Sequence, residues 1–319
     1  MAGKRAGDVD RDVGRYTQTN PERYFAMRVF LTGATGYIGT AVAERLQAAG
    51  HEVSGLARTG EAAAKLTAAG VRPVRGDFAD PATVGAAAGA ADGVISTATT
   101  YKAEIDGPAI EAILGALAGS GKPFLYTSGI WVHGDTGGAV VDEESPLKPA
   151  TLVVWRVPVE NRVLAGAAQG IRSTVIRPGI VYGRAGGIPA GLVEAARKEG
   201  TVRFVGTGRN RWPLVHIDDL ADLYLAAIER APAGTLLLAV AGPSRTVADI
   251  AAAASRGGGA GGRTASWPVE KARQTLGTYA DALVLDQQAT SRHAATLLAW
   301  RPRRPDIIEE LERGSYVKG

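Results

Sequence analysis

The chain is 319 residues long, 45% hydrophobic and 21% charged, with a formal net charge of +4 and no cysteine. That length buries a full core and leaves chain for a smaller lobe; the missing cysteines exclude disulfides, thiolate catalysis and cysteine-based metal sites and point to the cytoplasm. The basic residues are scattered apart from Arg301, Arg303 and Arg304, and the apolar runs fall short of the roughly 20 residues of a membrane span, so neither a nucleic-acid face nor a bilayer segment is expected.

Residues 1–26 are polar, contain several glycines and lack periodicity, and read as a flexible N-terminal extension without a secretory signal. From Met27 the pattern changes. Arg28-Val-Phe-Leu-Thr32 is a first strand, 41–49 a helix ending at Gly50, and 51–57 a second strand. Strands follow at 71–74, 93–98, 123–127 and 173–177, with a helix at 110–118. Near-continuous apolar strands alternating with helices imply a parallel sheet covered on both faces. The expected fold is therefore α/β, a doubly wound parallel Rossmann sheet with a smaller C-terminal substrate lobe. Beyond Pro178 the rhythm loosens, with a helix at 192–198 and a strand at 202–205. An amphipathic helix at 218–229 then returns to the sheet, and 255–262, low in complexity, reads as an exposed loop. These boundaries assign 27–178, with 210–230 returning, to dinucleotide binding, and 179–209 with 231–319 to the small lobe.

Thr32-Gly-Ala-Thr-Gly-Tyr-Ile-Gly39 lies between the first strand and first helix. Gly33 allows the sharp turn, Gly36 lets backbone approach a pyrophosphate, and Gly39 lets helix and sheet pack closely. Unpaired N–H groups at the helix start then receive the phosphates, and Thr32, Thr35, Tyr37 and Ile38 complete the turn. An acidic residue ending the second strand would bind the ribose of NAD. Arg58 stands there instead and suits the 2′-phosphate of NADP(H). Asp77 and Phe78 follow the third strand near the adenine, and Ala98, Thr127 and Pro178 close later strands on the cofactor side.

In order along the chain stand Thr32-Gly-Ala-Thr-Gly-Tyr-Ile-Gly39, Gly76-Asp77, Tyr126-Thr-Ser-Gly129, Val132-His-Gly134, Arg177-Pro178, Val181-Tyr-Gly183 and Val215-His-Ile-Asp218-Asp219. From Met27 to about Pro302 the chain thereby resembles an extended or atypical short-chain dehydrogenase/reductase of the NAD-dependent epimerase/dehydratase superfamily. The resemblance implies a Ser or Thr after the fifth strand and a Tyr-x-x-x-Lys pair. Alignment puts Gly129, Trp155 and Val159 at those positions, so the usual proton-transfer triad is absent. An indole exchanges no proton near neutral pH, and a sugar epimerase would need the base twice.

The remaining candidates for acid–base work are His133, Tyr101 and Ser128. Gly129, Trp131, Trp155, Tyr182 and Arg211 are expected to wall the substrate pocket. No metal is expected, since the four histidines lie far apart. The expected function is NADP(H)-dependent reduction of a carbonyl, imine or activated alkene in a small or medium hydrophobic substrate. A non-catalytic NADP(H) sensor and a non-redox cyclase or isomerase stay open. A small-molecule substrate is the expected partner, and a homodimer is one arrangement the resemblance allows.

Overall fold

The computed structural model describes residues 26–317; the extension expected over residues 1–26 lies, apart from Ala26, outside the described residues. Seven parallel strands form the central sheet: β1 (Arg28–Thr32), β2 (Glu52–Ala57), β3 (Arg72–Arg75), β4 (Gly93–Ser96), β5 (Pro123–Thr127), β6 (Arg172–Pro178) and β7 (Thr235–Ala239). Their spatial order is β7-β6-β5-β4-β1-β2-β3. The order reverses between β1 and β4, which opens a crevice at their carboxyl ends, where ligands of such sheets bind. Alternation along β1 builds the two layers: Val29 and Leu31 enter one core cluster and Phe30 the other. Helix α1 (Tyr37–Ala48) and the later helix Ile217–Arg230 cover the first face.

Three helices, Pro81–Ala90, Ala103–Leu117 and Arg156–Ala165, cover the second face, and Gly60–Ala68 adds Leu66 to the first. α2 (Gly60–Ala68) and α3 (Pro81–Ala90) have no counterpart in the expected elements. Both start on capping side chains: Thr59 Oγ1 accepts from Ala62 N at 3.1 Å, and Asp80 Oδ1 accepts from Ala82 N at 3.1 Å ahead of Pro81. Their alanine-rich sequences carry little periodicity. α4 (Ala103–Leu117) begins well before the expected position 110, because Gly107 and Pro108 lie within the helix. α5 (Arg156–Ala165) follows, and α3, α4 and α5 bury Val84, Ile110, Ile113 and Val163 against Phe30, Phe124 and Tyr126.

Two expectations change in the C-terminal part. Residues 231–319 do not all belong to the small lobe, since β7 pairs with β6 and Trp300 enters the main core, its indole donating to the Asp219 carbonyl at 2.8 Å. Residues 255–262 are an exposed loop only in part: the helix Val247–Gly257 includes Ser255, and Ser255 and Ala260 are buried, while Gly259 and Gly261 lie exposed in the turn that follows. The glycines there permit close packing, as a Cβ on Gly257 would lie 2.0 Å from the Leu311 carbonyl oxygen. The small lobe gathers Ile180, Trp212, Ile250, Leu311 and Tyr316 into its own cluster. Among the described residues no helix is long and apolar enough to cross a membrane.

Candidate functional site

The glycine turn has the geometry its spacing implies. Gly33 has φ +75°, and a Cβ on Gly39 would lie 2.1 Å from the Gly33 carbonyl oxygen. Gly36 caps α1 without a side chain, which leaves the first N–H groups of that helix free for a phosphate. Thr32 Oγ1 and Ser96 Oγ, 2.9 Å apart, tie the turn to β4, and Ala98 N donates to Thr32 Oγ1 at 3.4 Å. The residues present fit a dinucleotide diphosphate, because a Cβ on Gly33 would meet Ala98 N and Thr97 Oγ1 at 2.7 Å and one on Gly39 would meet Gly33 backbone, which keeps side chains out of the turn.

Arg58 is exposed at the end of β2 and has no hydrogen-bond or ion-pair partner among the described residues; the same holds for Arg75 at the end of β3. The Arg75 guanidinium comes within 3.9 Å of a Cβ built on Gly60, so two unpaired cations flank the start of α2. Asp77 accepts from Ala79 N at 2.9 Å and shapes the turn after β3, whereas Phe78 is buried in the core behind it. Thr35 offers its carbonyl to Lys65 Nζ at 3.3 Å.

Next to the turn, a cavity of about 290 Å³ is lined by Tyr37 and Ile38 on one side and by Tyr101, Ser128, Gly129, Trp131 and Pro178 on the others. Sequence reasoning named all seven. It missed Arg156, the first residue of α5 and the cavity's sole guanidinium. Arg156 is 5% exposed. Its guanidinium donates to the Thr127 carbonyl at 3.0 Å and to Thr99 Oγ1 at 3.1 Å, and lies over the rings of Tyr101 (5.4 Å) and Trp155 (5.0 Å). A single arginine within Val153-Val-Trp-Arg-Val-Pro-Val159 was the available signal, since a charge in an apolar run needs a buried purpose. The side-chain polar atoms Ser128 Oγ and Trp131 Nε1 are buried and without partners. A Cβ on Gly129 would meet nothing within 4 Å.

The other expected site residues lie elsewhere. His133 is 2% exposed and does not line the cavity. Its Nε2 accepts from Arg177 at 3.1 Å, and Arg177 is paired with Glu160 in the interior. Burial, and then the adjacent guanidinium, push the imidazole down to about 4, so it is neutral and removed from proton transfer with a ligand. Thr127 turns its hydroxyl to Tyr224 at 2.5 Å, away from the crevice. Trp155 lies beneath Arg156 rather than on the cavity wall. Tyr182 donates to the Pro305 carbonyl at 2.8 Å inside the small lobe, and Arg211 is paired with Asp286. Neither reaches the cavity, because the small lobe uses both for its own closure. Among the described residues no group of histidines and carboxylates could hold a metal ion.

The model of the NAD dependent epimerase/dehydratase family matches residues 29–238, which include the turn, the cavity lining and all of the central sheet but its two end residues, Arg28 and Ala239. The chain belongs to this family. An uncharacterized protein of Schizosaccharomyces pombe is 32% identical over 308 residues, covering 91% of this chain and 100% of that protein. The 3-diazoavenalumate denitrifying reductase of a Streptomyces species is 27% identical over 318 residues, covering 90% and 100%. In fold, the chain is similar to the Thermus thermophilus UDP-glucose 4-epimerase complex with NAD, with a TM-score of 0.75 at 20% identity over 91% of this chain and 98% of that one. The family's cofactor is a nicotinamide dinucleotide and its chemistry is of the oxidoreductase type, and both apply to this chain at that level.

Proposed function

We propose that the protein is an NADP(H)-dependent reductase of a carbonyl, imine or activated alkene, acting without the tyrosine–lysine pair usual in its family. The observation that carries the reading is the cavity itself, which continues directly from the dinucleotide turn at Tyr37 and Ile38 into a largely apolar chamber. The unpaired Arg58 and Arg75 support NADP(H) over NAD(H), since a 2′-phosphate supplies the counter-charge that both lack.

A reduced nicotinamide bound there supplies the hydride. The protein's part is to orient the acceptor, exclude water and deliver a proton to the atom that gains negative charge. Ser128 lines the cavity and its buried Oγ has no partner, so its hydroxyl is the one free to donate to the substrate heteroatom. Tyr101, 49% exposed on the loop before α4, stands between that chamber and solvent and supplies the replacement proton. Carbonyl reduction then balances: hydride joins carbon, the C=O π bond opens, and the oxygen takes the proton.

The test is oxidation of NADPH, followed by its absorbance, with a panel of hydrophobic aldehydes, ketones, imines and enones. The reading expects turnover with NADPH well above that with NADH, and loss of most of it in Ser128→Ala. Tight NADPH binding without consumption on any member of the panel would overturn it in favour of a binding-only role.

A further inference from the structure

Arg156 is almost fully buried and permanently charged, yet among the described residues no carboxylate lies within ion-pair distance of it. Of the two carboxylates of this layer, Glu160 is ion-paired, and buried Asp106, held by neutral donors, reaches Arg156 only through the shared Thr99 hydroxyl. Glu160 holds Arg177 at 2.5 Å, and Asp106 accepts from Thr99 Oγ1 at 2.7 Å and from the Thr100 backbone and hydroxyl at 2.9 and 2.6 Å. Two hydrogen bonds, to Thr127 and Thr99, fix the guanidinium but leave further N–H groups unused. A buried charge left this way is costly unless a partner arrives. Ser128 and Trp131 also line this space, and each carries a buried donor, Ser128 Oγ and the indole N–H, that no other group uses. The chamber therefore offers a cation with no anion in direct contact, its nearest counter-charge being one hydroxyl away at Asp106, between aromatic surfaces.

We propose that Arg156 is the receptor for a carboxylate on the substrate, which makes the preferred substrate a flat, conjugated carbonyl acid. The guanidinium fork meets the carboxylate while Tyr101 and Trp131 flank the conjugated body, and the reacting carbonyl is left to Ser128. This specifies the substrate class of the reductase reading and rests on it for turnover, whereas carboxylate binding at Arg156 stands without it.

The experiment compares para-formylbenzoate with para-formylbenzamide as substrates, and benzoate with benzamide as ligands of the NADP⁺-loaded full chain by quenching of tryptophan fluorescence. A charge-assisted pair predicts that the acid exceeds the amide by at least about tenfold in both kcat/KM and affinity. In Arg156→Gln the two should become equal, and Arg156→Lys should keep part of the preference. The acid–amide comparison on the unaltered protein decides the matter even if the variants fold poorly. Equal binding of benzoate and benzamide overturns the proposal, as does an acid preference that survives in Arg156→Gln. A similar loss of kcat for acid and amide in Arg156→Gln would also overturn it, by placing the guanidinium on the reacting oxygen. Benzoate preference without NADPH consumption would sink the reductase reading and leave the carboxylate receptor standing; equal reduction of acid and amide would do the reverse.

Discussion

The Tyr37 hydroxyl, on the first residue of α1, donates to the Gly183 carbonyl at 2.8 Å, across 146 positions of sequence. Its ring fills the space over Gly186, where a Cβ would come within 2.2 Å of the ring edge. The dinucleotide turn and the small lobe are thus fastened at one contact. Tyr37→Phe leaves the ring and orphans the Gly183 acceptor, and should lower unfolding stability by about 1–2 kcal/mol in urea titration. An unchanged midpoint would show that water replaces the bond at no cost.

Cofactor choice should respond to Arg58. Arg58→Ala removes a cation from the end of β2 without touching the core, and should raise KM for NADPH by about tenfold while that for NADH stays put. Equal effects on both cofactors would mean that Arg58 acts through the fold instead of the 2′-phosphate.

Two glycines should respond in opposite ways. Gly39→Ala drives a methyl group into the Gly33 carbonyl, which is backbone and cannot rotate aside, so a loss of about 3 kcal/mol together with cofactor binding is expected. Gly129 has extended φ at −179° and open space beside it, so Gly129→Ser should stay within about 0.5 kcal/mol of the parent protein. Urea midpoints and NADPH titration read both.

Acid should destabilise the fold through His133. Its ordinary value is 6.5 and its folded value about 4, so above pH 6.5 the imidazole is neutral in both states and costs nothing. As pH falls below 6.5 the unfolded chain gains a proton that the folded chain refuses until about pH 4, and stability should drop by about 3 kcal/mol across that window. His216 is lowered by burial too and adds in the same direction. His133→Asn keeps an acceptor for Arg177 and should flatten the His133 share of the slope; a variant with the parent's full slope would assign the effect elsewhere.

The sheet was largely legible because most of its first six strands are short runs with an apolar centre spaced regularly between helices, and the turn because each of its glycines answers a distinct steric demand. β7 escaped because Thr235-Leu-Leu-Leu-Ala239 is too short for its period to separate strand from helix. α3 escaped because Pro81–Ala90 is apolar around its whole circumference. At the site, alignment on the family's tyrosine and lysine directed attention to Trp155 and Val159, and the side chain that lines the cavity is one residue along at Arg156. Tyr182 and Arg211 carry suitable side chains on suitable segments, but Pro305 and Asp286 claim them, which no local pattern announces.

Tyr316 closes the far side of the same junction, accepting from Gly183 N at 2.8 Å and donating to the Gly186 carbonyl at 2.6 Å. During synthesis, the glycine turn leaves the ribosome early, whereas this latch waits until almost the whole described chain has emerged. In the nascent protein the wall above the nucleotide cradle therefore stays unlocked until Tyr316 is available, long after the glycine turn has been made.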